Sequence, residues 1–254
     1  MISLISPAKS LNFSDTVTVK KTSAPIFLSE AKKLVKIMKT KSKSDLMEMM
    51  ELSESLAELN FMRFKNWSGG THKEKCRQAL FAFDGDVYTG LDAYNLSENE
   101  LDFAQDNLLI LSGMYGVLRP LDTIEAYRLE MGRSLSTERG NNLYQWWGDR
   151  ITDEIQKALK KSDSQVLLNL ASNEYFKSVN TKKLNANIVA PQFKDEKNGK
   201  YKVVSFFAKK ARGAMARFVI QNKIQNPDLI KAFEWEGYHF NSKLSIKNNW
   251  VFTR

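Results

Sequence analysis

The chain has 254 residues, 43% hydrophobic and 26% charged, an ordinary globular composition with length enough to bury a substantial core. Its net charge is +9, and with one cysteine (Cys76) and two histidines it has no internal disulfide and too few ligands for a zinc or iron–sulfur site of the usual kind. No stretch approaches the roughly 18 consecutive apolar residues of a membrane helix, and the N-terminus lacks a basic leader, so the expectation is a cytoplasmic protein with no membrane partner.

The first strand is expected at residues 2–5, followed at once by Ser6-Pro7-Ala8-Lys9. Apolar residues at Phe27, Ala31, Leu34, Val35 and Met38 predict a helix over residues 26–39, and a second amphipathic helix spans 44–60. A strand at 80–83 follows. Asp84-Gly85 then reads as a hairpin turn, against the alternative that Asp84 and Asp86 hold Mg²⁺. The helix 98–107 feeds a strand at 108–111 that ends in Ser112-Gly113-Met114-Tyr115-Gly116. In Tyr127-Arg128-Leu129-Glu130 the Arg and Glu are two apart, on one side of a strand, and placed to pair. A helix over 143–161 carries Tyr144, Trp147, Ile151, Ile155 and Leu159 on one face. Strands are expected at 166–170, 188–190 and 203–207, then a helix at 208–222 and strands at 238–240 and 250–252. No repeat or long linker divides these elements. They predict an α/β fold, or α+β, as a single compact module over residues 1–254 with a central mixed sheet flanked by helices.

Several strands end in polar turns, and in α/β sheets ligands sit beyond the carboxyl ends of the strands. Parallel neighbours would bring Lys9, Asn169, Ser172, Lys209 and Arg212 to one rim, with Ser6, Tyr115, Arg128 and Tyr175 lining a pocket. The plainer reading is that the Ser and Asn residues cap helices and the lysines hydrate the rim.

Charge is unevenly distributed. Residues 1–43 carry nine lysines against two acids, and residues 194–223 carry nine Lys or Arg against two acids. With residues 224–254 at +1, the middle of the chain is net acidic, so the field is directed toward a polyanion, most simply DNA. On the helix after residue 208, Lys209, Lys210, Arg212 and Arg217 are candidate phosphate contacts. Gly213 and Ala216 between them would allow a phosphate backbone to approach. No P-loop, dinucleotide fingerprint or nucleophile elbow appears, and no motif calls for a cofactor or metal. Catalysis, in the alternative of an enzyme acting on a nucleotide or nucleobase, would fall to Glu130 or Glu174 as acid or base.

Taken in order, Ser6-Pro7-Ala8-Lys9-Ser10-Leu11, Gly85-Asp86-Val87-Tyr88-Thr89-Gly90-Leu91, and the run from Leu111 through Gly113, Tyr115, Gly116, Arg119 and Pro120 to Asp122 form a recognisable set. Tyr127-Arg128-Leu129-Glu130-Met131-Gly132, Asn169-Leu170-Ala171-Ser172-Asn173-Glu174-Tyr175 and Ala208-Lys209-Lys210-Ala211-Arg212-Gly213 complete it. Along its whole length the chain resembles the YaaA family of bacterial peroxide-stress proteins. The resemblance implies a role in the hydrogen-peroxide response, an association with limiting unincorporated iron, and binding of duplex DNA, bent or damaged DNA included. It also implies a helix-hairpin-helix element beside a positive cleft, which maps onto residues 45–64. That stretch has no glycine and carries Glu48, Glu51, Glu54 and Glu58, so Arg63 and Lys65 just beyond its turn are the better phosphate contacts.

Overall fold

A computed structural model describes all 254 residues. Five strands, β1 (Ile2–Ile5), β2 (Leu108–Ser112), β3 (Gly116–Leu118), β4 (Val166–Asn169) and β5 (Asn187–Val189), form a sheet in the order β5-β4-β1-β2-β3. All neighbours are parallel except β3, which runs antiparallel to β2. Every position of β1 and β2 is buried, which is why these strands read as unbroken apolar runs rather than alternating ones. A second sheet, β7-β6-β9-β8, joins β6 (Gln192–Lys197), β7 (Lys200–Lys202), β8 (His239–Phe240) and β9 (Val251–Thr253). It rests on an aromatic cluster in which Phe193 lies 5.5 Å from Phe252 and 5.4 Å from Tyr238, ring centre to ring centre.

The principal helices are α1 (Leu28–Met38), α2 (Lys43–Met50), α3 (Glu54–Asn66), α4 (Asp86–Leu91), α5 (Glu98–Asn107), α6 (Arg150–Lys161) and α7 (Ser205–Gln221). No helix is long and apolar enough to cross a membrane. The mixed α/β class and the central mixed sheet follow the sequence expectation, and one contiguous apolar core joins both sheets to the helices.

Several boundaries differ, each for a local reason. Of the strand expected at 80–83 only Phe83 is one: Ala79–Ala82 form a fully buried helical turn, its first two amides bonded to the carbonyls of Asp122 and Pro120. A run of four apolar residues does not itself distinguish the two states. The single helix expected over 44–60 is two. Glu51 turns left-handed (φ 54°), and the Ser53 hydroxyl accepts from the Leu56 amide to start α3. Likewise the helix expected over 143–161 breaks at Gly148, which has φ of +50°. Asp84-Gly85 makes no hairpin; Phe83–Asp84 pairs with Ser10–Leu11, and Gly85 leads directly into α4. Residues 127–130 run outside any ladder, and residues 203–204 are exposed linker before α7 begins at Ser205.

Two features of this architecture place the site. First, β1 connects to β2 on one side while β4 enters on the other, so the carboxyl ends of β1 and β4 part at a topological switch point. Second, α7 packs on α4 at backbone distance. A Cβ on Gly213 would stand 1.8 Å from the Val87 carbonyl oxygen, and one on Gly90 would stand 2.0 Å from that of Lys210. Gly213 therefore serves helix-to-helix contact and is not an opening toward a phosphate. This contact holds the first turns of α7 beside the switch point.

Candidate functional site: a charged cleft at the switch point

Where β1 and β4 part, the turns that follow them are stitched together. The Ser172 amide donates to Ser6 Oγ at 2.8 Å, Ser6 Oγ donates to Ser172 Oγ at 3.3 Å, and the Tyr88 hydroxyl donates to the Ser6 carbonyl at 3.2 Å. Asn169 shapes the second turn, its side-chain oxygen accepting from the Ala171 amide at 3.0 Å. Beyond these contacts opens a cleft of about 510 Å³, walled by the 6–10 turn, Asp84 to Val87, Glu130, the 170–175 segment, Lys209 and Arg212. That volume lies within the roughly 300–1,000 Å³ of small-ligand sites.

Glu130 is the most constrained charge in the wall. Its side chain is 6% exposed; Arg128 Nε and Nη2 both meet Oε1 at 3.1 Å, and Lys9 Nζ lies 3.7 Å away. Its second oxygen, Oε2, is buried without a hydrogen-bond partner. Gly113 makes this placement possible, since a Cβ there would come within 2.2 Å of the Leu129 carbonyl. Ser112 Oγ and the Tyr127 hydroxyl, 2.6 Å apart, fix the segment's other end. Burial pushes the Tyr127 and Tyr175 hydroxyls well above the usual phenol range, so both are neutral hydrogen-bonding groups. Glu174 is exposed and accepts from the Gly132 amide at 3.0 Å.

The cations differ in how they are held. Lys209 Nζ stands 3.9 Å from Asp86, its side chain half exposed. Arg212 lines the cleft partly buried, and burial lowers its pKa with no carboxylate partner to offset the effect. The lining as a whole carries Lys9, Lys209 and Arg212 against Asp84, Asp86, Glu130 and Glu174, so it is mixed in charge and not a bare positive groove.

Of the sequence candidates, Ser6, Lys9, Glu130, Ser172, Glu174, Tyr175, Lys209 and Arg212 meet at this cleft, and Arg128 supports it from behind through Glu130. The others stand elsewhere. Tyr115 is fully buried, its hydroxyl accepting from Trp67 Nε1 at 3.3 Å. Lys210 lies over the Phe206 ring at 4.5 Å. Arg217 donates to the carbonyls of Leu91 at 3.0 Å and Asp92 at 2.5 Å, closing the C-terminal end of α4. In the last turn of α3, half-buried Arg63 donates to Asn60 at 3.3 Å, its pKa lowered by burial and then by the charge of Arg128; Lys65 is exposed. Asp84 and Asp86, read first as a turn, belong to the cleft wall. The signal for them was the Asp-Gly-Asp spacing itself, whose hairpin propensity α4 overrides. No three His, Cys, Asp or Glu side chains are grouped as metal ligands.

The fold and site thus define a mixed α/β protein with a polar, charge-lined cleft at the switch point of its parallel sheet. The family model for peroxide stress protein YaaA matches residues 1–244, and the chain belongs to that family. It is 51% identical to a UPF0246 protein of Teredinibacter turnerae over all of this chain and 99% of that one, and 52% identical to one of Colwellia psychrerythraea with the same coverage. A UPF0246 protein of Aliivibrio fischeri is 50% identical over all of this chain and 98% of its own.

Proposed function

We propose that this member of a peroxide-stress family binds DNA, and that its switch-point cleft receives a phosphate-bearing part of the strand. The observation that carries the reading is Arg212: a partly buried guanidinium in the cleft wall that Lys9 and Lys209 also line, with no carboxylate of its own. Holding a charge away from water without a partner is costly, and an incoming phosphate offers the bidentate acceptor that guanidinium geometry matches. Arg63 on α3 adds a cation near Arg128, while the turn between α2 and α3 is less suited, because its Glu51 is paired with Arg133 at 2.9 Å. Lys210 and Arg217, held by Phe206 and by α4, play no part in this contact. Protection of DNA through backbone contacts, without base readout, is the role this supports. On this reading any effect on iron is indirect, since no three His, Cys, Asp or Glu side chains are grouped to hold a metal ion.

The test is an anisotropy titration of a labelled duplex with the native chain and with an Arg212→Gln/Lys209→Gln variant of unchanged thermal stability. The proposal expects at least a tenfold loss of affinity; equal binding overturns it. A second reading, an enzyme acting on a nucleotide or nucleobase, draws on the partnerless Oε2 of Glu130 in the wall of this open cleft. Turnover of a nucleotide or release of a base, abolished in Glu130→Gln, would establish it.

A further inference from the structure

The β6–β7 ribbon is built in a way that its own fold does not explain. Its turn, Asn198-Gly199, has both residues left-handed (φ 55° and 72°), the geometry of a tight two-residue hairpin. Pairing is Asp195 with Lys202, Glu196 with Tyr201, and Lys197 with Lys200. By the alternation of strand faces, Lys197, Lys200 and Lys202 share one face with Asp195. Asp195 is already occupied, taking Arg254 Nε at 2.6 Å and the Tyr238 hydroxyl at 2.7 Å. That bond anchors the base of the ribbon to the aromatic cluster and leaves the three lysines with no neutralising acid on their face. Lys197 and Lys200 sit directly across from one another, an arrangement that destabilises a ladder between like charges.

All three lysines are exposed, and none makes an ion pair. β7 is the edge of its sheet, so no further strand covers it. Its other face shows Tyr201 at 40% exposure, and the chain then runs through exposed Val203 and Val204 into α7, where Phe206 is 48% exposed. The same helix carries Lys209 and Arg212 to the cleft.

We infer that this ribbon is a second contact for duplex DNA, an arm that follows the phosphate backbone next to the cleft. The inference rests on the DNA-binding reading above. A two-stranded ribbon has the dimensions to enter the major groove, and a polyanion removes the repulsion between Lys197 and Lys200. The chain runs from the lysine row directly into α7, which carries Lys209 and Arg212 to the cleft, so one long polyanion can meet both, which favours nucleic acid over a short acidic peptide.

The experiment compares the full native chain, a Lys197→Gln/Lys200→Gln/Lys202→Gln variant and Arg212→Gln, each titrated with the same duplex across a salt series. Because the three lysines are exposed and unpaired, the ribbon variant keeps native stability or gains a little, which a thermal melt checks. The expected result is at least a tenfold loss of affinity at 0.1 M salt and a log–log salt slope reduced by roughly 2–3. If the native chain and Arg212→Gln differ as proposed but the ribbon variant binds like the native chain, the arm is not a DNA contact and the cleft reading stands. If the native chain binds no DNA, both fall. A parallel arm uses vesicles of phosphatidylserine and phosphatidylcholine. Vesicle binding lost in the ribbon variant, with DNA binding unchanged, assigns the arm to an anionic surface and overturns the inference.

Discussion

Gly213→Ala tests the contact on which the position of Lys209 and Arg212 depends. In an ordinary helix interior this change would stabilise by about 1 kcal/mol. Here the added methyl would stand 1.8 Å from the Val87 oxygen and 2.8 Å from the Leu91 nitrogen, where ordinary contact begins at 3.4 Å. Relief of the shorter contact, 3.4 less 1.8, asks the two helices to part by about 1.6 Å. The obstacle is backbone, so no rotamer change removes it, and the cost lies at the upper end of the roughly 1–3 kcal/mol seen for overpacking. Set against the helix-propensity gain, the net loss is about 2 kcal/mol, or a melting temperature lower by about 4–8 °C in a protein of this size. Urea and thermal unfolding of the variant measure it directly. A variant as stable as the native chain would refute the account of how α7 is seated.

Three further outcomes follow from the same geometry. Arg128→Leu strands the Glu130 carboxylate and is expected to cost about 3–5 kcal/mol, much of which Arg128→Leu/Glu130→Leu recovers; a double-mutant cycle from urea melts reads the coupling. Burial tends to raise the pKa of Glu30, but its bonds to Arg139 and Lys33 win and hold it below the ordinary value of about 4.5. A carboxyl lowered on folding contributes stability above its unfolded pKa and loses it as pH falls through the folded one. Stability should therefore decline as pH drops below about 4.5, less steeply in Glu30→Gln, as acid titration by circular dichroism would show. Arg217→Gln removes the carbonyl bonds at the end of α4, so it should lower stability by roughly 1–2 kcal/mol while leaving DNA affinity within about twofold.

The central strands were readable because parallel strands buried on both faces leave continuous apolar runs, as at Leu108–Ser112, and the polar turns after them mark the rim. Ser6 and Ser172, which follow true strands, are placed together on that ground; Lys209 and Arg212 reach the same rim for another reason, since residues 205–207 begin α7 rather than end a strand and the packing of α7 on α4 carries them there. What sequence could not supply was long-range. Tyr115 carries a polar group into the core because Trp67, 48 residues away, reaches it. Arg217 belongs to the same cationic helix as Arg212, yet tertiary packing turns one to the end of α4 and the other to the cleft. Gly213 looked like room for a phosphate because nothing local revealed that Val87 would fill that room. Residues 80–82 fold as part of a helical turn, with only Phe83 in a strand, because a short buried apolar run satisfies either state.

The claim that DNA phosphates occupy the switch-point cleft is tested most directly by the salt dependence of duplex affinity. The native chain is compared with Lys9→Gln/Lys209→Gln/Arg212→Gln, its folding confirmed by thermal melt. The account predicts a log–log slope of roughly −0.9 per phosphate contact in the native chain, shrinking by about 2–3 in the variant. A native slope near zero, or a variant that keeps the native slope and affinity, would contradict it.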